Sequence, residues 1–131
     1  MVRKIITLLL GAVLVSLSSM VIADESVGRM VFTTEVVDRA PINDVDILSA
    51  VDNKIYFFSE LLGLNGQIVT HRWVFDGQVM AEVLFDVRSN RWRVWSSKTL
   101  VPAWSGRWIV EVVTAEGEVL DQKDFYYGTP E

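Results

Sequence analysis

His71 is the only histidine of the chain, and it is the side chain best suited to act as a general base. A hairpin centred on Asp76-Gly77 would place Glu82 opposite His71, where the carboxylate could orient the imidazole ring. The nucleophile of such a site would have to be a serine, from among Ser59, Ser96 and Ser97. No Gly-x-Ser-x-Gly motif or comparable signature surrounds any of them. The sequence therefore favours a structural His71–Glu82 pair over catalysis, and we expect a protein that is not an enzyme.

Tryptophan and arginine form a second set of residues with a chemical use. All five tryptophans lie in the stretch 71–108, and arginines stand directly beside three of them, in Arg72-Trp73, Arg91-Trp92-Arg93 and Arg107-Trp108. Because neighbours on a strand point to opposite faces of a sheet, each pair can place a ring on one face and a guanidinium on the other. Flat rings can stack on sugars while charged groups bond hydroxyls. The pattern nevertheless indicates a fold more clearly than a reaction.

The sequence does not indicate a metal or cofactor site. A transition-metal site needs several Cys, His or carboxylate ligands that converge, and the chain has one histidine and no cysteine. Calcium on Asp44, Asp46 and Asp52 is conceivable because calcium binds oxygen ligands, but their spacing matches no known calcium-binding loop. We therefore expect no metal, no cofactor and an ordinary acidic surface loop.

The N-terminus is typical of a secretory signal peptide. Arg3 and Lys4 precede the uncharged stretch 5–22, and Val21-Ile22-Ala23 puts a small residue before Asp24. That stretch is at the short limit for a membrane span, and its threonine, glycine and serines weaken it further. We predict cleavage after Ala23, a periplasmic or secreted protein and no stable membrane span. An uncleaved anchor is the alternative.

The charge of the chain narrows the classes of partner. The net charge is −5 at pH 7, and loss of Arg3 and Lys4 with the signal peptide would make the mature part more acidic. This excess disfavours nucleic acid, whose binding depends on Lys and Arg that neutralise phosphates. It also disfavours an anionic membrane surface. Because cysteine is absent, burial alone must stabilise the domain.

Seven strands separated by turns are predicted in the mature chain, without a convincing helix. They cover residues 30–37, 54–62, 68–75, 78–87, 91–97, 106–114 and 119–127. Asp76-Gly77 and Glu116-Gly117 are typical of hairpin turns, and Ser89-Asn90 indicates a third tight turn. Short strands with regular turns predict one all-β domain over residues 24–131, an immunoglobulin-like antiparallel β-sandwich.

The turns also predict which residues share a face. A two-residue loop at Asp76-Gly77 opposes Trp73 to Met80 and His71 to Glu82, while one at Ser89-Asn90 opposes Phe85 to Val94 and Leu84 to Trp95. One face then belongs to the core, to which we assign Val83, Phe85, Trp92, Val94 and Trp108. The other face carries the candidate ligand-binding residues His71, Trp73, Glu82, Asp86, Arg93 and Trp95.

We interpret the second face as an aromatic platform for a cell-envelope glycan or a periplasmic protein, because large exposed apolar patches mark interaction sites. The alternative is that the segment 98–105 or the N-terminal strand covers this face and makes it a second core. Three hypotheses follow. They are a non-catalytic binding module, a structural accessory subunit that docks on another envelope protein, and a small hydrolase.

Several short runs resemble one bacterial family. They are His71-Arg72-Trp73, Asp76-Gly77-Gln78, Ala81-Glu82-Val83, Arg-Trp-Arg-Val-Trp-Ser-Ser-Lys at 91–98, Trp-Ser-Gly-Arg-Trp at 104–108 and Val-Glu-Val-Val at 110–113. The run at 91–98 is the most specific of these. The family is the domain of unknown function DUF2914, and the similarity extends from near Phe32 to Phe125, almost the whole mature domain. The resemblance implies no established activity.

Overall fold

The computed structural model describes residues 24–130. The predicted signal peptide, residues 1–23, lies outside this part of the chain, so its cleavage stays a prediction. No helix within residues 24–130 is long and apolar enough to cross a membrane.

Strands make up most of the described chain. Seven of them are eight or nine residues long and three are only two residues long. In chain order they are β1 (Ser26–Thr33), β2 (Val36–Val37), β3 (Ala40–Pro41), β4 (Ile47–Leu48), β5 (Lys54–Leu62), β6 (Ile68–Phe75), β7 (Gln78–Asp86), β8 (Arg91–Thr99), β9 (Gly106–Thr114) and β10 (Val119–Tyr127). A single 3₁₀ turn, Pro102–Trp104, is the only helical element within residues 24–130.

Two sheets pack face to face. The smaller has the strand order β1-β5-β8, and the larger has the order β4-β10-β9-β6-β7. All long strands pair antiparallel; only the short β4 runs parallel to β10. Aromatic rings from both sheets pack between them. For example, the ring centroids of Phe32 and Phe125 lie 4.7 Å apart. The predicted all-β sandwich is confirmed.

The first strand begins and ends earlier than predicted, at 26–33 rather than 30–37. It stops at Thr33 because the Thr33 hydroxyl turns the chain, lying 2.9 Å from the carbonyl oxygen of Glu35 and 2.7 Å from Oδ1 of Asn43. The residues that follow form the separate β2–β3 hairpin. Its turn holds Asp38 and Arg39 at φ 50° and 61°, a pair of positive values typical of a two-residue type I′ turn.

The β6–β7 hairpin departs from the predicted register after two residue pairs. Phe75 faces Gln78 and Val74 faces Val79 as predicted, but a bulge then places Trp73 opposite Ala81 and His71 opposite Val83. Without the bulge, Trp73 and His71 on β6 would lie on the opposite face of the hairpin from Ala81 on β7. One of these two sets would then face the solvent. The extra residue lets both strands turn their apolar residues inward. The predicted His71–Glu82 pair is therefore wrong.

The second predicted hairpin does not form. After β7 the chain crosses to the other sheet, where β8 pairs with β5 from Leu62↔Arg91 to Lys54↔Thr99. Buried Val87 anchors the crossing, because its N–H and C=O bond to Gln67 and Gly66 in the loop before β6. β7 and β8 thus become edge strands on the same side of the sandwich.

Candidate functional site

His71 lies in the centre of the sandwich, with none of its surface exposed. The bulge described above turns it inward from β6, between the rings of Phe57 on β5 and Phe85 on β7. Each of these rings lies 4.8 Å from the imidazole, in an edge-on arrangement. Its surroundings are therefore apolar on both sides.

Two serines of the opposite sheet contact the ring nitrogens of His71. Ser59 Oγ, on β5, lies 2.7 Å from Nε2, and Ser96 Oγ, on β8, lies 2.8 Å from Nδ1. The indole N–H of Trp73 donates to the same Ser96 Oγ at 3.0 Å. Because a neutral imidazole has one donor and one acceptor and a hydroxyl can be either, both tautomers of His71 satisfy both ring nitrogens.

The sealed position of His71 decides its chemistry. Removal from water disfavours the charged imidazolium and lowers the pKa of His71 from 6.5 to about 3. Ser59 is fully buried and Ser96 is 5% exposed, so a substrate has no room beside either hydroxyl. Glu82, the predicted orienting carboxylate, faces Arg72 on the outside of the larger sheet. The four side chains Ser59, His71, Ser96 and Trp73 form a polar link between the sheets, which we call the histidine link.

The predicted aromatic platform does not form, because its six residues are divided among three places. His71 and Trp73 are buried in the core. Glu82 and Asp86 lie on exposed positions of β7, and Arg93 and Trp95 lie on exposed positions of β8, in the other sheet. The bulge and the crossing between the sheets, both described above, cause this division.

The residues assigned to the core are all turned inward, to different depths. Trp108 is fully buried and Val94 is 4% exposed. Phe85 and Trp92 are partly buried and pack against the core cluster, while Val83 is partly buried opposite His71. The indole N–H of Trp108 donates to the carbonyl oxygen of Trp104 at 2.9 Å, which satisfies its polar atom inside the core.

The outside of the larger sheet is a face of paired charges. Arg72 stands between Glu82 on β7 and Glu111 on β9, and its Nε lies 2.9 Å from Glu111 Oε1. This hydrogen bond raises the pKa of Arg72. Arg107 and Asp124 form a second, exposed pair at 2.7 Å. Cross-strand pairs of this kind are typical of a solvated sheet face.

One cleft concentrates arginine and tryptophan. It has a volume of about 340 Å³ and is lined by Arg39, Ser89, Arg91, Trp92, Arg93 and Trp95. We call it the Arg–Trp cleft. No acidic residue is among its lining residues. The sequence signals only part of it, through the Arg91-Trp92-Arg93 run. Arg39 arrives from the distant β2–β3 hairpin and carries no local signal.

The arginines of the Arg–Trp cleft keep free donors. Arg91 donates from Nε and Nη2 to Glu60 Oε2 on the neighbouring strand, at 3.3 and 3.2 Å. Arg93 Nη1 donates to the carbonyl oxygen of Arg39 at 3.3 Å. A guanidinium has five N–H donors, so each of these contacts uses a minority of them. The contact to Arg39 also ties the β2–β3 hairpin to the outside of β8.

A second cleft continues the first along β8. It has a volume of about 370 Å³ and shares Trp92, Arg93 and Trp95 with the Arg–Trp cleft. Its remaining lining residues are Leu84, Phe85, Asp86 and Val94. Leu84 is 62% exposed and Trp95 36% exposed, so the space between the β7 and β8 edges presents apolar surface. We call it the edge cleft.

The acidic loop before β5 offers no metal site. Asp44 Oδ1 lies 3.8 Å from the ammonium of Lys123, and Asp46 uses its backbone carbonyl to bond Tyr126. Within residues 24–130, no group of three or more His, Cys, Asp or Glu side chains could hold a metal ion.

The part of the chain that contains most of these features matches a known family. Residues 67–127 match the model of a family described as protein of unknown function (DUF2914). The resemblance to DUF2914 is confirmed for this segment. The DUF2914 match covers β6 to β10. It therefore includes the histidine link except Ser59, and both clefts except Arg39. The match begins well after Phe32, where the sequence predicted the similarity to start. No curated protein matches the chain.

Proposed function

We propose that this protein is a non-catalytic binding module that takes an anionic ligand in the Arg–Trp cleft. The observation that carries the proposal is the lining itself, which has three arginines, two tryptophans and no carboxylate. The chain has a net charge of −5 and only 12 Lys and Arg residues. Three of them line this one cleft, and although Glu60 pairs with Arg91, this gathering favours a local positive field in an acidic protein.

The chemistry of these side chains fits a carboxylate or phosphate ligand. Guanidinium groups bind such anions through pairs of parallel hydrogen bonds. Trp95 adds a flat apolar surface beside Arg93 on the same face of β8. An acidic cell-envelope glycan and an acidic protein partner both offer the required groups.

The buried histidine supports a non-catalytic role over a small hydrolase. A general base must reach the proton that it removes from the nucleophile while a substrate lies next to it. The Ser59 and Ser96 hydroxyls do reach His71, but all three residues are closed off from solvent. The structural accessory subunit is the second candidate, favoured by the exposed Leu84 in the edge cleft.

The location proposed with this function is outside the cytoplasm. It rests on Arg3-Lys4, the uncharged stretch 5–22 and the small residue Ala23. Mass spectrometry of the protein from an envelope or culture fraction should give a chain that begins at Asp24. A chain that keeps Met1 in the cytoplasmic fraction would contradict export.

Binding is tested with anionic probes and matched arginine variants. We expect a carboxylated oligosaccharide such as oligogalacturonate, or an acidic peptide, to quench tryptophan fluorescence saturably, and a neutral dextran fragment to have no effect. Arg93→Gln should weaken binding at least about tenfold. Arg107→Gln, which removes an exposed arginine on the other sheet, is the control. The proposal fails if no anionic probe binds, or if both variants bind alike.

A further inference from the structure

β8 is an open edge of the smaller sheet. It pairs with β5 on one side, and within residues 24–130 no strand pairs with its other side. The nine residues of β8 pair with β5 one to one, without a bulge. Regular edge strands with free backbone N–H and C=O groups are the surfaces to which another extended chain can pair.

The other long edges are less suited to such pairing. β1 has an irregular register between Val27 and Met30, and β7 carries the bulge beside Trp73. Bulges twist an edge and interrupt its ladder of backbone groups, which is a common protection against unwanted pairing. β8 has no such bulge, and its charged side chains are all positive, at Arg91, Arg93 and Lys98, so they would oppose another basic strand but attract an acidic one.

The two clefts surround the edge of β8 from both of its faces. Arg91, Arg93 and Trp95 point to the outside of the sheet, where Arg39 also lies. Trp92 and Val94 point inward, and they line the edge cleft together with Phe85 and Leu84 of β7. A strand added to β8 would fill both clefts at once, because its side chains would alternate between the two faces.

We propose that the partner is an extended segment of another protein that adds to β8 as a further strand, acidic on its outward side and apolar on its inward side. This inference rests on the proposed anion-binding function and specifies the ligand. Outward carboxylates meet the three arginines of the Arg–Trp cleft. Inward side chains meet Trp92, Phe85 and Leu84, and the carboxylate of Asp86 in the edge cleft disfavours acidic residues there.

Charge and backbone chemistry favour this partner over the alternatives. A second copy of the chain paired through its own β8 would bring Arg91, Arg93 and Lys98 and no acidic residue. It would therefore bring no carboxylate to the arginines. A glycan would satisfy the arginines and stack on Trp95, but it has no ladder of amide groups to pair with the edge backbone. Strand addition uses both features.

The probe is a capped synthetic peptide of about six residues, the usual length of a strand, that alternates glutamate with valine. The protein is the full chain, purified in the form to which cells process it. We expect saturable binding in a calorimetric titration. The matched peptide with glutamine in place of glutamate should bind at least about tenfold more weakly, since hydrogen bonds with charged partners are the stronger ones.

Two N-methylated versions of this peptide test the backbone pairing directly. Successive N–H groups of an extended chain point to opposite edges, and only one edge pairs with β8. Methylating the N–H groups of the glutamates in one peptide and of the valines in the other blocks one edge each time. We expect one version to bind like the parent and the other to lose binding at least about tenfold. Equal effects would overturn strand addition.

The remaining outcomes separate this inference from the proposed function. Binding of oligogalacturonate but not of the peptide, with loss in Arg93→Gln, would refute the strand and keep the anion site. No effect of Arg93→Gln on any probe would refute both. A dimer in sedimentation that dissociates in Trp95→Lys would assign the β8 edge to a second copy of the chain and overturn the inference.

Discussion

The Nδ1 atom of His71 lies 2.8 Å from Oγ of Ser96, and this hydrogen bond joins the two sheets of the sandwich. His71 belongs to β6 of the larger sheet and Ser96 to β8 of the smaller one. Ser59 completes the crossing on the other ring nitrogen. Apolar contacts are non-directional, so this directional link helps to fix how the two sheets are placed on one another.

Stability should fall with acid because of His71. Its pKa is about 3 in the folded protein, while an unfolded chain binds the proton below its ordinary value of about 6.5. Between these values unfolding takes up a proton, so lowering the pH favours the unfolded state. We expect a loss of about 1.4 kcal/mol per pH unit in that window. Above pH 6.5 both states are neutral and this dependence disappears.

Urea unfolding of the protein and of His71→Gln, from pH 7.5 down to pH 4, measures this contribution. Carboxylates contribute their own pH dependence to both proteins, so the relevant quantity is the difference between the two slopes. His71→Asn serves as a second variant, because its shorter side chain places the amide near the position of Nδ1, beside Ser96, and not near that of Nε2. Parallel curves for all three proteins would show that folding does not lower the pKa of His71.

Ser96→Ala should destabilise the protein out of proportion to the single oxygen that it removes. The change leaves the Trp73 indole N–H and one nitrogen of His71 without their partner in the core. Each buried polar group left unsatisfied costs about 1–3 kcal/mol, so for these two groups we expect a loss of about 2–6 kcal/mol in urea unfolding. The neighbouring Ser97 points to solvent, and Ser97→Ala should change stability by less than about 0.5 kcal/mol. Similar small effects of both variants would contradict the histidine link.

The two tryptophans that the sequence places on one platform should behave differently. Trp73 is fully buried, and Trp73→Ala should cost about 3–5 kcal/mol of unfolding free energy, as is usual for emptying a large aromatic site. Trp95 keeps 36% of its surface exposed, so Trp95→Ala should cost clearly less, about 1–2 kcal/mol. Thermal and urea unfolding of both variants would check this order. Equal losses would mean that Trp95 is part of a core.

Local sequence predicts the elements of this fold better than their partners. The turn at Asp76-Gly77 and the bounds of β6 and β9 follow from residue type and alternation alone. The bulge beside Trp73 does not, because both registers satisfy the turn. The bulged register turns the apolar residues of both strands inward and brings His71 to Ser59 and Ser96 of the opposite sheet, a contact between residues distant in sequence.

The same limit applies to the candidate site. Ser89-Asn90 has the composition of a hairpin turn, but the buried position of Val87 and its bonds to the loop before β6 send the chain across to β5. The Arg91-Trp92-Arg93 run signals a surface with arginine and tryptophan. The third arginine of the Arg–Trp cleft, Arg39, comes from a hairpin that is remote in sequence. A contact of this kind cannot be predicted from the periodicity of the sequence.

Arg39 allows its side chain and its backbone to be tested separately. Its backbone is left-handed, with φ 61°, a conformation that costs an ordinary residue roughly 1–2 kcal/mol and that asparagine tolerates better. The bond to Arg93 uses the backbone carbonyl oxygen of Arg39. Any substitution of Arg39 that leaves the turn folded therefore keeps this bond. Arg39→Asn should therefore leave stability unchanged or slightly higher, while it removes one positive charge from the Arg–Trp cleft.

We expect Arg39→Asn to bind oligogalacturonate and the glutamate–valine peptide more weakly than the parent, by a factor that shrinks as salt is added because exposed charges are screened. Fluorescence titrations at low and physiological ionic strength, paired with thermal melts, give both quantities. An Arg39→Asn protein that melts at a lower temperature and binds as tightly as the parent would mean that Arg39 serves the hairpin and not the ligand.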